Sequence, residues 1–234
     1  MTERPVLFSS PMVRAILANR KTVTRRVMNP QPTGTAGKVW PDEDRWAWPS
    51  TLARTMVDIN EACSLGPYGS RGDRLWVRET WRYHGWTEDG APWIKYAADD
   101  STRLVERIPD EWSDRLADIW ADLSDDANMA IDGRAADRKW RPSIFLPRWA
   151  SRITLEVVGV RVERLQEITE DDARAEGVNP SDAHIVIKDG YRQPDMERTH
   201  RGAFACLWDG INGDRASWAS NPWVWRVEFR VVQP

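Results

Sequence analysis

Two cysteines and three histidines among 234 residues leave little material for a disulfide framework or a zinc centre. Cys63 and Cys206 read as ordinary thiols. His84, His184 and His200 stand alone, with no pair at the HxxxH spacing of a zinc enzyme. Neither a metal nor a cofactor is expected. No apolar run approaches the roughly 20 residues of a membrane helix, and Met1 to Phe8 is not apolar enough for a secretory signal. A soluble, cytoplasmic protein without a membrane partner is the expectation. The phosphate loops GxxxxGK(S/T) and GxGxxG are missing, which argues against ATP-dependent chemistry, and so is the GxSxG nucleophile elbow. No internal repeat or low-complexity tract occurs.

The composition is otherwise that of an ordinary folded domain, 41% hydrophobic and 29% charged. A net charge of −3 disfavours a general nucleic-acid coat, which gains affinity by neutralising many phosphates. The distribution is uneven. Arg4 to Pro41 carries seven cations (Arg4, Arg14, Arg20, Lys21, Arg25, Arg26, Lys38) and no carboxylate. Asp99 to Asp137 carries twelve acids against four arginines. An anion-friendly face and a separate acidic block follow from this.

Ser10-Pro11 predicts a helix start, Met12, Val13, Ile16 and Leu17 share one face, and Asn19 suits the left-handed residue that ends a helix. Asn29 to Ser50, with four prolines and Trp40, Trp46 and Trp48, reads as an irregular loop. Gly72-Asp73 turns into a strand over Arg74 to Trp81 that should be central. Residues 88–138 read as an acidic helical insertion or lid whose helix aligns Trp112, Leu116, Ile119, Trp120 and Leu123. Ile153 to Val162 predicts a long strand bent near Gly159. Thr169 caps a helix closing at Glu176, with Gly177 left-handed. A last helix carries Phe204, Leu207 and Trp208 and should stop at Gly210. Trp223 to Val231 alternates as a strand. The expected class is α+β with a small curved sheet or barrel, one domain over 1–234 with an insertion at about 88–138.

The segments that carry chemistry are Ala15-Ile-Leu-Ala-Asn-Arg-Lys-Thr-Val-Thr-Arg-Arg26 and Leu165-Gln-Glu-Ile-Thr-Glu-Asp-Asp-Ala-Arg-Ala-Glu-Gly177. The first resembles the ILxGxKTxTxR signature of ASCH domains, a PUA-like β-barrel family. The second resembles that family's LTEEDAxxEG helix. Gly72 to Trp81 and the Trp-rich closing strand look like further barrel landmarks, and the layout is similar to that of longer ASCH proteins of phages and prophages. Asn19 stands where the family usually has Gly, and both tolerate the left-handed turn. The resemblance implies a PUA-like small barrel with flanking helices. It also implies the activity of a small bacterial member, a metal-independent amidohydrolase that deacylates N4-acetylcytidine with a Lys, a Thr three residues later and a Glu. Those positions match Lys21, Thr24 and Glu176.

The chemistry is sensible on its own terms. A threonine hydroxyl needs a neighbouring base, and a lysine serves only if its pKa falls well below the ordinary value. Burial and the charges of Arg20, Arg25 and Arg26 would depress it. Glu176 at a helix C-terminus, where the dipole disfavours negative charge, would be suited to donate a proton to the leaving amine. Substrate contacts are expected from Arg20, Arg26, Arg78, Glu79, Phe145 and Trp149. Arg78 and Glu79 are read first as a structural ion pair. Trp140, Phe145 and Trp149, interleaved with Arg141, Arg148 and Arg152, could stack on nucleobases, although fifteen tryptophans more often serve packing. The expected partner is a small nucleoside or base. A PUA-like module that binds RNA or modified bases, or a ribonuclease, is the alternative.

Overall fold

The Ser9 carbonyl accepts the Val13 N–H at 2.9 Å and opens helix α1 (Ser10–Leu17), which follows strand β1 (Glu3–Leu7). The helix ends as its sequence predicts. Asn19 is left-handed (φ 53°), its N–H reaches the Ile16 carbonyl at 2.9 Å, and the Arg20 N–H reaches that of Ala15 at 2.8 Å. This pair of bonds is a Schellman motif. The computed structural model describes residues 1–29, 31, 45–47, 56–58, 66–87, 90–124, 139–181 and 199–232. The reading of Asn29 to Ser50 as a loop falls mostly outside these residues, as do Cys63 and His184.

Strands β2 (Val23–Val27), β3 (Arg45–Ala47), β4 (Met56–Asp58), β5 (Arg74–Arg78), β6 (Trp81–Trp86), β7 (Pro92–Tyr96) and β8 (Thr102–Leu104) precede helix α2 (Ser113–Ser124). Strand β9 (Thr154–Arg164), helices α3 (Glu170–Ala175) and α4 (His200–Ala216) and strand β10 (Trp223–Val232) complete the fold. The class is mixed α+β. The main sheet has the order β1-β5-β9-β10-β2, β6-β7-β8 form a second sheet, and β3 pairs with β4. Among the described residues the five-stranded sheet is an open row. No helix of the described residues is long and apolar enough to cross a membrane. Contacts divide the chain into two compact units, one of Met1–Arg4, Ala15–Leu75 and Leu155–Val232, the other built from Pro5–Arg14 and Trp76–Thr154.

Three expectations need correction. The strand foreseen over Arg74 to Trp81 is two strands, β5 and β6, broken at Glu79 and Thr80. The last helix runs through Gly210 to Ala216. A helical glycine costs only about 1 kcal/mol, and local anchors oppose that cost. The Trp208 indole N–H donates to the Ala216 carbonyl at 2.7 Å, and Asp209 accepts from the Trp218 N–H at 2.6 Å. The acidic segment, finally, holds strands as well as the expected helix. Within 90–124, β7 and β8 extend the sheet that starts at β6. The period-2 pattern of Pro92-Trp-Ile-Lys-Tyr96 carries this signal, with Pro92, Ile94 and Tyr96 buried.

The core of the second unit joins that segment to its flanks. Ile94, Tyr96, Val105 and Leu116 pack with Trp81, Tyr83, Trp86, Leu146 and Ala150. The Tyr96 hydroxyl donates to the Ala150 carbonyl at 2.7 Å, and burial pushes its pKa up to about 12. Of the residues aligned on the α2 face, Leu116 is buried and Trp112 and Ile119 pack against this cluster. Replacing Ile94, which is fully buried, is a direct check on the corrected assignment. Ile94→Ala should lower stability by about 2–5 kcal/mol, read as a lower urea midpoint. An unchanged midpoint would mean that the acidic segment lies outside the core.

Candidate functional site

Every residue of the first sequence segment named for chemistry lies in the first unit. The turn at Asn19 directs the chain into an antiparallel bridge between Lys21 and Glu176, backed by the Thr22 N–H on the Ala175 carbonyl at 2.9 Å. The opposite wall is built as the sequence predicts. The Thr169 hydroxyl accepts from the Asp172 N–H and starts α3, Glu176 closes it, and Gly177 is left-handed at φ 79°. Glycine is required there twice over. A Cβ at 177 would lie 2.8 Å from the Ala15 Cβ and 2.9 Å from the Lys21 Cβ, closer than real side chains approach.

The bridge brings two buried charges together. Lys21 Nζ donates to Glu176 Oε2 at 2.6 Å and to the Glu176 carbonyl at 2.9 Å. Both residues are 3% exposed. Burial pushes the Lys21 pKa down and outweighs the charge and hydrogen bond of Glu176, which act the other way. Arg26 and then Arg25 depress it further. Of the arginines expected to do this, Arg26 and Arg25 do so, whereas Arg20 is exposed and donates to the Gly177 carbonyl at 3.3 Å.

Arg25 is the residue whose weight the sequence reading missed. Its side chain is wholly buried and meets three carboxylates. Nε donates to Glu163 Oε1 at 2.7 Å, one terminal nitrogen to Asp172 Oδ2 at 2.7 Å and the other to Glu176 Oε1 at 3.3 Å. Arg226 lies opposite Arg25 in the β2–β10 register. Two arginines side by side would repel, but Asp172 bridges them, accepting from Arg226 at 2.8 Å through its other oxygen. Arg161 joins from β9, donating to Glu163 at 2.7 Å. The alternation of Val23, Arg25 and Val27 along one face of β2 was the available signal. An arginine on a face that buries valine must find acids.

Both oxygens of Glu176 therefore accept hydrogen bonds from cations. This replaces the dipole argument: α3 has only six residues, and two cationic donors within 3.3 Å act more strongly than so short a helix. Thr24 is also 3% exposed and lies in β2 in register with Val227. Side chains alternate along a strand, so Thr24 shares its face with Arg26 and turns away from that of Arg25. Tyr68, which the sequence gave no reason to select, lies within the electrostatic reach of Arg26. Burial raises its pKa and Arg26 opposes the rise.

A cleft of about 640 Å³ is lined by Asn19, Arg20 and Thr22 and by Ala175, Gly177 and His200, among others. It takes in the chain neighbours of Lys21 and Glu176 but neither of the two. Among the described residues no group of three or more His, Cys, Asp or Glu could hold a metal ion; the three acids that converge do so on Arg25.

The other expected substrate contacts belong to the second unit. Arg78 and Glu79 do not pair, because adjacent residues of an extended chain face opposite ways. Arg78 lies over the Trp76 ring at 4.6 Å. Glu79 is buried and takes two 2.8 Å bonds from Arg152. Trp149 packs edge-on against Trp112 at 5.6 Å, and Phe145 is 66% exposed. No protein-family model, curated protein or solved structure matches the chain.

Two outcomes follow from the cluster. Arg25→Met removes the one cation that all three acids share and should cost about 3–5 kcal/mol in urea unfolding; Arg25→Lys should recover only part, since an ammonium cannot span three carboxylates. Loss no greater than at an exposed arginine would remove Arg25 from its central place. The second concerns pH. Desolvation raises the Asp172 pKa, but the Arg226 hydrogen bond and the charges of Arg25 and Arg226 overcome it and hold the carboxyl below its ordinary value. Its contribution is therefore present above the unfolded value of about 4 and is lost as pH falls through the lower folded one. Asp172→Asn should flatten the acid limb of the stability curve, and an unaltered limb would contradict this.

Proposed function

We propose that this chain is a metal-independent amidohydrolase that removes acyl groups from N4-acylated cytosine nucleosides or bases, with Thr24 as nucleophile, Lys21 as base and Glu176 as proton donor. The observation that carries the reading is the buried 2.6 Å contact of Lys21 with Glu176. It joins residues 155 positions apart, and these belong to the two segments that resemble the ASCH signatures. A PUA-like small barrel is part of the same reading, for which the five-stranded sheet would supply the wall.

Lys21 and Glu176 share one proton across their contact. As an ion pair they are inert, but burial lowers the proton affinity of Lys21, and transfer of its proton to Glu176 would leave the amine free to accept and the carboxyl free to donate. That form has the two roles already assigned. Thr24 Oγ1 attacks the acyl carbon while its proton passes to the Lys21 amine. The C–N bond then breaks as the Glu176 proton goes to the cytosine amine. Water attacks the acyl-threonine and gives its proton to Glu176, and the departing Thr24 oxygen recovers its own from Lys21.

The test is release of cytidine from N4-acetylcytidine in the presence of EDTA, followed by chromatography. Lys21→Met, Thr24→Val and Glu176→Gln should each lower kcat by about 10²–10⁴-fold while far-UV circular dichroism stays native. A wild-type protein that releases no cytidine, or a Thr24→Val variant as active as wild type, would sink the assignment.

A further inference from the structure

The second unit holds a cleft that shares no lining residue with the Lys21–Glu176 site. Its volume is about 500 Å³, and Trp112, Trp140 and Phe145 contribute rings while Arg115, Lys139 and Arg141 contribute cations. The charge pattern is selective. From a segment with twelve acids and four arginines, the cleft takes Trp112, Arg115 and Ile119, one helical face, and not the neighbouring Asp114 or Asp118. No carboxylate is found among its described lining residues.

The walls are held by backbone. Trp81 and Arg141 exchange main-chain hydrogen bonds at 2.7 and 3.2 Å. Arg141 lies over the Tyr83 ring at 5.2 Å, and Arg82 over Trp140 at 4.7 Å. Trp81, itself 3% exposed, lines the cleft, and its buried indole N–H has no acceptor among the described residues; a buried donor left unmet is unfavourable. Apolar surface is exposed along one short run that includes two of the lining rings, with Trp140 39%, Ile144 55% and Phe145 66% exposed.

Partly exposed rings beside cations, a buried indole N–H and, among the described lining residues, no acid together suit a planar apolar body that carries negative charge and acceptors. We infer that this cleft binds single-stranded nucleic acid, stacking an unpaired base on Trp140 and Phe145 and seating the adjoining phosphates on Lys139, Arg141 and Arg115. The volume fits a nucleotide-sized ligand. The exposed run from Trp140 to Phe145 favours a strand over a free nucleotide, because successive bases need successive faces.

The experiment is fluorescence anisotropy of a labelled oligonucleotide of about ten nucleotides against the full chain, with RNA and DNA arms. Saturable binding is expected. Trp140→Ala and Phe145→Ala, both at exposed positions that should fold normally, should each weaken it by about 10-fold. Lys139→Ala should lower the slope of log affinity against log salt by about 0.7. Duplex of the same sequence and free nucleotide should compete poorly. Lys21→Met should bind as wild type, which separates this result from the deacylation assay. The inference falls if no arm saturates, if binding is indifferent to Trp140 and Phe145, or if it tracks Lys21 instead. It falls as well if Trp140→Ala changes only self-association, which would make the surface a protein contact.

Discussion

A buried guanidinium organises the first unit. Arg25 has no exposed side-chain surface, and moving an ion out of water costs several kcal/mol that only close, well-aligned partners offset. It finds those partners on two elements: Glu163 near the end of β9, and Asp172 within α3 with Glu176 at the end of that helix. The planar fork of arginine can serve three carboxylates at once. Strand β2, strand β9 and helix α3 are thereby fixed to one another by charge, while Val27 of β2 packs against the hydrophobic cluster of Leu165, Ile168, Ala173 and Val224. Lys21 inherits its setting from this arrangement. Glu176 can meet the amine through one oxygen because Arg25 holds the other.

What the sequence made legible was the local chemistry of chain reversal. Asn19, Thr169 and Gly177 occupy the backbone states that their side chains favour, and the closing strand follows its alternation from Trp223 onward. These signals need only neighbouring residues. The failures share the opposite character. Helix α4 passes Gly210 because Trp208 and Asp209 find partners at Ala216 and Trp218, and Glu79 chooses Arg152 over Arg78 across 73 positions. The role of Arg25 stayed hidden for the same reason. Its surroundings come from residues about 140 to 150 positions away, and a run of arginines after a helix looks like a solvated turn until that return is known. The candidate pair itself was readable only because two segments were recognised together.

Both units set arginines over tryptophan rings, at Trp218 and Trp223 in the first and at Trp112 and Trp140 in the second, but they differ in what they bury. In the first, charges are buried and spent on one another, while Phe204, Trp208 and Trp218 fill the core. In the second, Trp81, Tyr83 and Trp86 form the core, and cations lie against ring faces at the surface. Chemistry on a small polar group suits the former setting, where desolvation alters proton affinity. Recognition of a flat, charged ligand suits the latter.

The distance along the chain between Lys21 and Glu176 has a consequence during biosynthesis. Their contact closes a loop of 155 residues, whose length-dependent entropy alone is roughly 4 kcal/mol. A ribosome-bound chain that has not yet emerged past residue 176 holds Lys21 in water, as an ordinary ammonium with no basic character at neutral pH. The low proton affinity of this amine is a property of the finished protein. Under the proposed chemistry, a nascent or truncated chain would carry the lysine and the threonine and still be incapable of acyl transfer.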